Sequence, residues 1–569
     1  MKKIIVREYI ESLTERDELD YLFPLLLEVL DFRIIIRPTE SKGVAEYGKD
    51  IIAIGLDPFD NIKKIIYFEV KGGADKNVTP STFSKEDGIR ESLIEAKDVV
   101  YNDESIPELK KHPVKIILVH NGVLNTTVRD TFDGFVKREF SNSNDPHIEF
   151  ERWDIFRLTE LFEQYLFNEY LMIEESAFNL FKRMLILHTT PENNQQYFFR
   201  LINHLFENTT DVVPTSKNIP RKTLMFFETL RLIGFMSYTI SKQEKNILIA
   251  LKCNSFLLCK TWSWIIKFNL INNKKIINLF TKLKSLHFDI TNEFFNKSLE
   301  VATSKNGLYY DDAGRYEIVG HPIRCFNYLA YFNHFYEASQ NKKEVTLNAK
   351  NYINTVKSLI NNNNGMARPI LDIHSVSIIK TILILSELGE VEFAKTYTLK
   401  VIENLIKQTR KFNILPDARN NFESVVKFYA LKEKSIYYED NISYLIGQLA
   451  EICCLLNYKD GYNLIVKNFS SIILATFIPY DDINSKDYLD KIEVNQEVCF
   501  FSKGLYREGY QSEIKLEPTF KEFYDKTKLK TEDNLELKTS DTSFFDLIYL
   551  AHFVFGSPLF PSLWRSRIV

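Results

Sequence analysis

The chain has 569 residues, of which 45% are hydrophobic and 26% charged, with a net charge of −4 at neutral pH. That length predicts two to four domains, and that composition excludes a disordered chain. Six cysteines without a C-x-x-C pair argue against a sulfur-ligated metal and predict reduced, mostly buried thiols.

The start of the chain, Met1 to Val6, is followed at once by Arg7, Glu8 and Glu11, so the apolar core of a signal peptide is missing. The richest apolar stretches, Leu224 to Ile240 and Ile247 to Ile266, are broken by Glu228, Arg231, Lys252 and Lys260, which argues against a spanning helix. A cytoplasmic protein that makes no membrane contact is expected. From Ser12 to Leu30, an apolar stripe of Leu13, Leu19, Leu22, Phe23, Leu26 and Val29 predicts a helix, capped by Thr14 or Ser12 and blemished by Pro24. Arg33 to Arg37 reads as a strand closed by Pro38.

Two strand-like runs follow, Asp50 to Leu56 and Lys64 to Lys71, joined by a turn containing Asp57, Pro58, Asp60 and Asn61. Period-two alternation in the second run puts Ile66, Phe68 and Val70 on one face and Tyr67, Glu69 and Lys71 on the other. Pairing the runs brings the Asp50 carboxylate toward that of Glu69. Two such groups repel unless a cation neutralises them, and hard oxygen ligands suit Mg²⁺ or Mn²⁺. Gly72-Gly73 then lets a backbone approach phosphate closely. Further on, Ile89 to Val100 reads as a helix, Val114 to His120 as a buried strand, Thr126 to Phe140 as a helix, His147 to Glu151 as a strand and Asp154 to Leu166 as a helix. His112 and His120 read as structural or exposed rather than catalytic.

Asp50, an eighteen-residue spacer and then Glu69-Val70-Lys71 resembles the PD-(D/E)XK nuclease superfamily, and Gly48-Lys49-Asp50 is similar to the G-x-D form of its first half-motif in Mrr-like and antiphage-defence nucleases. The family's proline before the aspartate is absent. The resemblance covers residues 1–170 and implies an αβββαβ restriction-endonuclease-like core within an α/β domain. It further implies Asp50 and Glu69 as metal ligands, the Val70 carbonyl as a further ligand, and Lys71 as the catalytic lysine. An acid from the first helix often supports the metal in this family; Glu18, Asp20 and Glu28 are the candidates, none at the usual spacing.

Beyond Phe167 helical spacing dominates, as in Phe198 to Phe206, Arg221 to Met236, Lys274 to Leu283 and Leu347 to Ile360, with breaks at Pro191 to Gln196, Asp211 to Pro220 and Asn361 to Gly365. Val376 to Gln408 and Ile442 to Val466 read as helical hairpins of tetratricopeptide type. Val498 to Phe501 and Lys515 to Lys538 are less regular, and the tail is a helix, Phe544 to Phe555, whose following segment docks through Phe560 and Trp564. The expected domains are 1–170, a helical middle domain 171–310, and a helical sensor or interaction domain 311–569.

Residues 1–170 carry 23 Lys and Arg against 33 Asp and Glu, whereas the remainder carries 49 against 43. An acidic nuclease domain binds duplex weakly. The helical part, an oligomeric partner or bound metal must supply the attraction; patches at Lys274, Lys275, Lys282 and Lys284, at Lys342 and Lys343, and at Lys407, Arg410 and Lys411 are candidates. The expected function is a Mg²⁺-dependent DNA endonuclease acting in antiphage defence. A sequence- or modification-dependent restriction endonuclease is the nearest alternative, a non-catalytic helical scaffold the alternative of another class, and RNA stays open as a substrate. No P-loop occurs, so an ATP-driven step would need a partner ATPase or helicase.

Overall fold

The computed structural model describes residues 2–37, 48–104, 106–140, 148–166, 191–207, 209, 212–214, 219–341, 346–477, 511–529, 544, 546–558 and 563–568. The chain divides into two compact units, Met1–Gln243 and Glu244–Val569. The expected boundary near 170 lies outside the described residues, and that near 310 falls between two helices of the second unit.

The first unit opens with α1 (Lys2–Ser12), a π-helical turn (Glu15–Leu19) and α2 (Asp20–Val29). The single helix expected from Ser12 to Leu30 is therefore broken, and α1 precedes it. Val6, Tyr9, Ile10 and Leu13 are buried and form the inward stripe at helical spacing. Pro24 stays inside α2, where its missing N–H would have bonded only to the first residue of that helix.

A mixed five-stranded sheet follows, with order β1 (Arg33–Ile36), β2 (Ile51–Leu56), β3 (Lys63–Lys71), β4 (Val114–His120) and β5 (Ile148–Trp153). The first three strands are antiparallel neighbours; β3, β4 and β5 run parallel. Three helices are interspersed, α3 (Pro80–Ser84), α4 (Ile89–Asp98) and α5 (Thr126–Glu139), and α6 (Ile155–Leu161) follows β5. One sheet face carries Ile52, Ile54, Tyr67, Ile116 and Leu118 against Phe83, Leu93, Phe132 and Phe135. On the other, Phe68 and Trp153 pack edge-on against Phe23 of α2. The expected alternation in β3 is thus realised: Tyr67 and Phe68 serve opposite cores.

The unit also contains the helices Pro191–Glu207 and Arg221–Gln243. Pro191 to Gln196 begins a helix instead of breaking one, since proline in a first turn forgoes an N–H that has no intrahelical partner. The Tyr9 hydroxyl of α1 donates to Glu228 at 2.9 Å.

The second unit is mostly helical. Long helices Ile247–Lys267, Lys274–Thr303 and Glu317–Gln340 lead to Ala349–Asn362. Asn361 and Asn362 complete that helix, and a 3-10 turn covers Asn364–Ala367, where a plain loop was expected. The expected hairpins are His374–Glu387 with Val391–Phe412, turning at Gly389 (φ +80°), and Tyr444–Leu455 with Lys459–Phe469. A small sheet of Ile442–Ser443, Ile473–Phe477 and Gln511–Glu513 was not anticipated. Helix Leu547–Phe555 and Trp564 are buried, as expected of the tail, while Val498 to Phe501 and Phe560 lie outside the described residues. Cys253, Cys259, Cys325, Cys453 and Cys454 are buried free thiols. Among the described residues, no helix is long and apolar enough to cross a membrane.

Candidate catalytic and metal centre

The β2–β3 hairpin is held by its turn: the Asp57 N–H donates to the Ile62 carbonyl at 2.9 Å, and Asn61 takes a left-handed φ of 58°. Its register ends with Ile51 paired to Phe68, which leaves Asp50 just beyond the ladder, beside the Phe68–Val70 end of β3. The Asp50 N–H donates to the Phe68 carbonyl at 3.0 Å, and Asp50 Oδ2 accepts the Val70 N–H at 2.6 Å. Lys71 Nζ lies 2.7 Å from Glu69 Oε1. All three residues of the sequence motif therefore meet at one end of the hairpin. Val70 joins through its backbone, with its side chain buried.

Gly48 fixes the approach. Its φ is +67°, and a Cβ there would lie 1.9 Å from the Ser92 carbonyl oxygen in α4, so only glycine lets the strand begin so close to that helix. Next to it, Lys49 is buried with its ammonium 5.2 Å from the centre of the Tyr67 ring. Burial pulls Lys49 down to about 8, against the pull of Glu95 and Glu69.

The electrostatics are uneven. Burial, then the neighbouring Glu69 charge, pushes the Asp50 carboxyl well above the usual range, while Lys71 and the Val70 N–H oppose this; Glu15 adds to the rise. Burial works against the Lys71 ammonium, yet Glu69 and Asp50 outweigh it and raise its pKa. An excess of carboxylate over ammonium in a partly desolvated corner is the setting in which a divalent cation binds.

Of the candidate acids from the first helical segment, Glu18 and Glu28 are engaged elsewhere. Glu18 is bound to Arg231 at 2.6 Å and to the Thr14 N–H at 2.8 Å, and Glu28 is paired with Arg37. Glu15 reaches the site instead, its Oε2 accepting the Gly72 N–H at 3.2 Å. The close approach permitted by Gly72 is to this segment: a Cβ on Gly72 would meet the Glu15 nitrogen at 2.8 Å. Buried Asn121 secures the segment by donating to the Ile10 and Leu13 carbonyls at 2.7 and 2.8 Å. His120, in register with Lys71, is buried, with Nδ1 3.0 Å from the Lys76 carbonyl and Nε2 unpartnered. Burial lowers it to about 4, so the ring is neutral.

Among the described residues, the carboxylates gathered most tightly are elsewhere: ligand oxygens of Asp57, Asp60 and Glu149 lie within 4.8 Å of one another. Lys64 Nζ occupies that position, 2.9, 2.5 and 2.6 Å from the three, and Lys115 lies 2.7 Å from Asp57. An ammonium already supplies the counter-charge there. Asp50, Glu69 and Glu15 form the looser, less neutralised set, and their donor chemistry fits Mg²⁺ or Mn²⁺.

Of the expected basic patches, Lys284 is tied to Asp546 at 2.7 Å, and Lys342 and Lys343 lie outside the described residues. No protein-family model, no curated protein and no solved structure matches the chain.

Proposed function

We propose that the first unit is a metal-dependent phosphodiesterase of the PD-(D/E)XK type, cleaving DNA. One observation carries this reading: Asp50, just before β2, bonds to the Val70 N–H with Glu69 and Lys71 as its charged neighbours, and its carboxylate is held at an electrostatic disadvantage that a bound cation would relieve. Asp50 and Glu69 hold the metal, with the Val70 carbonyl beside them and Glu15 behind. The metal supplies an acidified water and a Lewis acid for a phosphoryl oxygen. Lys71, kept protonated, positions the scissile phosphate and stabilises the charge that develops on it. The helical second unit, with its two hairpins, serves as the sensing or interaction module, and antiphage defence is the setting this division of labour suits.

The test is cleavage of supercoiled plasmid and linear duplex in Mg²⁺, Mn²⁺ or EDTA by wild type, Asp50→Ala and Lys71→Ala, with single-stranded RNA as a parallel substrate. Metal-dependent cutting lost in both variants supports the reading. Cutting that survives either substitution, or EDTA, removes it.

A further inference from the structure

The second unit contains an open cleft of about 950 Å³ between the segments 305–321, 364–368 and 429–432. That is the size of a small-molecule site, at the upper end of the usual range of roughly 300–1,000 Å³. Its lining includes four cations, Lys305, Arg315, Arg368 and Lys432, against two carboxylates, Asp311 and Glu317. Glu317 is already committed, one oxygen being paired with Arg324 and accepting the Tyr310 N–H. Among the described residues, none of the four cations has a carboxylate within ion-pair distance.

Arg368 shows the imbalance best. It is half-buried; Nη2 donates to the Ile318 carbonyl at 2.7 Å, and Nε has no partner. A desolvated guanidinium with no carboxylate at ion-pair distance is unfavourable, and its planar fork matches phosphate. His321, 5% exposed, lines the same cleft with Nε2 unpartnered, and Glu317, 1% exposed, with Oε2 unpartnered. Deeply buried polar atoms of this kind normally have partners. At the rim, Tyr309 is 43% exposed, and its ring meets His321 edge-on at 5.4 Å. Gly314, at φ 53° and ψ −130°, gives the rim segment Asp311–Tyr316 a conformation that only glycine adopts readily, and a Cβ there would meet nothing within 4 Å.

We propose that this cleft binds a nucleotide: its phosphates are held by Arg368, Arg315, Lys432 and Lys305, its base lies against Tyr309, and His321 and Glu317 take polar edges of the ligand. A simple anion would leave most of the volume and the exposed tyrosine unused. A nucleic-acid backbone would call for cations strung along a surface, whereas these converge on one concavity. The inference does not depend on the activity of the first unit.

The experiment is calorimetric titration of the full chain, in EDTA, with ATP, GTP, CTP, UTP, tripolyphosphate and adenosine. Arg315→Ala, Lys432→Ala and their double variant are compared with wild type. Both side chains are exposed, so the variants are expected to fold, as circular dichroism would verify. Expected are saturable binding of at least one nucleoside triphosphate, weaker binding of tripolyphosphate, none of adenosine, and a loss of about tenfold per substitution. The proposal is overturned if no nucleoside triphosphate binds at about 1 mM, even where tripolyphosphate does, or if the double variant binds as well as wild type. It is also overturned if only a short single-stranded oligonucleotide binds and the same substitutions weaken it, which would make the cleft a nucleic-acid track.

Discussion

Asp50→Asn isolates the charge of the candidate centre while keeping its shape, because an asparagine oxygen can still accept the Val70 N–H that Asp50 holds at 2.6 Å. In metal-free protein Asp50 faces the negative charges of Glu69 and Glu15 and the positive charge of Lys71. A unit pair about 5 Å apart is worth about 3 kcal/mol at an effective dielectric constant near 20, and less where solvent screens it. One repulsion and the one attraction roughly cancel, leaving a second repulsion and the burial penalty, so the variant should be more stable by about 1–2 kcal/mol in EDTA. With Mg²⁺ at about 100 times its dissociation constant, the wild type gains about 2.7 kcal/mol and the variant little, so the order of stabilities reverses. Thermal melts of both proteins in EDTA and in a Mg²⁺ series read this directly, with a shift of about 2–4 °C per kcal/mol for a unit of this size. A variant that melts lower in EDTA, together with a wild type indifferent to Mg²⁺, would show that Asp50 is a structural hydrogen-bond acceptor and that no metal centre exists.

Gly48→Ala should cost about 3 kcal/mol or more and abolish cleavage with Asp50 intact, since the new Cβ would lie 1.9 Å from the Ser92 carbonyl at a left-handed φ; a melt and a plasmid assay check both. Glu15→Gln should weaken Mg²⁺ binding by about 10–100-fold with little change in melting, whereas Glu18→Ala, which leaves Arg231 with Glu228 as its one remaining carboxylate partner, should lower melting and leave metal affinity alone. His374 is buried, accepts the Ile370 N–H on Nδ1 and is pushed down to about 3 by burial. Its folded pKa lies below its unfolded value, so its contribution is complete above about pH 6.5 and lost as pH falls toward 3, about 4–5 kcal/mol in all. Asp372, pushed up to about 7 by burial, acts in the opposite sense, so the measurement is the difference between wild type and His374→Asn, whose acid limb should be flatter.

What could be read from the sequence depended on how local its cause was. The β2–β3 hairpin is specified by alternation and turn residues within 22 positions, from Asp50 to Lys71, and its facing of Glu69 and Lys71 follows from strand geometry alone. Glu15 was not legible because it sits in a π-helical turn after a break at Leu13-Thr14 and reaches a residue 57 positions away. The signals that pointed to it were indirect: a Gly72-Gly73 pair that makes room, and an asparagine at 121 that no strand end requires. Helix α1 and the residue after it carry an i, i+3, i+4, i+7 stripe in Val6, Tyr9, Ile10 and Leu13, but over a helix of only 11 residues such a pattern competes poorly with other readings. The small sheet in the second unit joins strands of two to five residues from positions 442 to 513, a spacing at which alternation carries no information.

The hairpin carries two aspartates with opposite electrostatics, and the contrast separates structure from function. Asp57, 0% exposed, is contacted by two ammonium groups, from Lys64 at 2.9 Å and Lys115 at 2.7 Å. Burial works to raise its pKa, but the hydrogen bonds from Lys115 and Lys64 win, and the carboxyl lies below the usual range. Asp50 is buried beside two like charges that one ammonium, Lys71, and a backbone N–H do not offset, and lies above it. Asp57→Asn would take from two buried lysines their shared, fully buried counter-charge while leaving Asp60, Glu149 and Glu151, at a cost of about 1–3 kcal/mol. Asp50→Asn should stabilise metal-free protein. Were both aspartates parts of one structural network, both substitutions would destabilise, and by similar amounts. Denaturant unfolding of the two variants in EDTA therefore decides whether the acidic corner beside Lys71 is part of what holds the sheet together, or a site whose repulsion is kept for a cation.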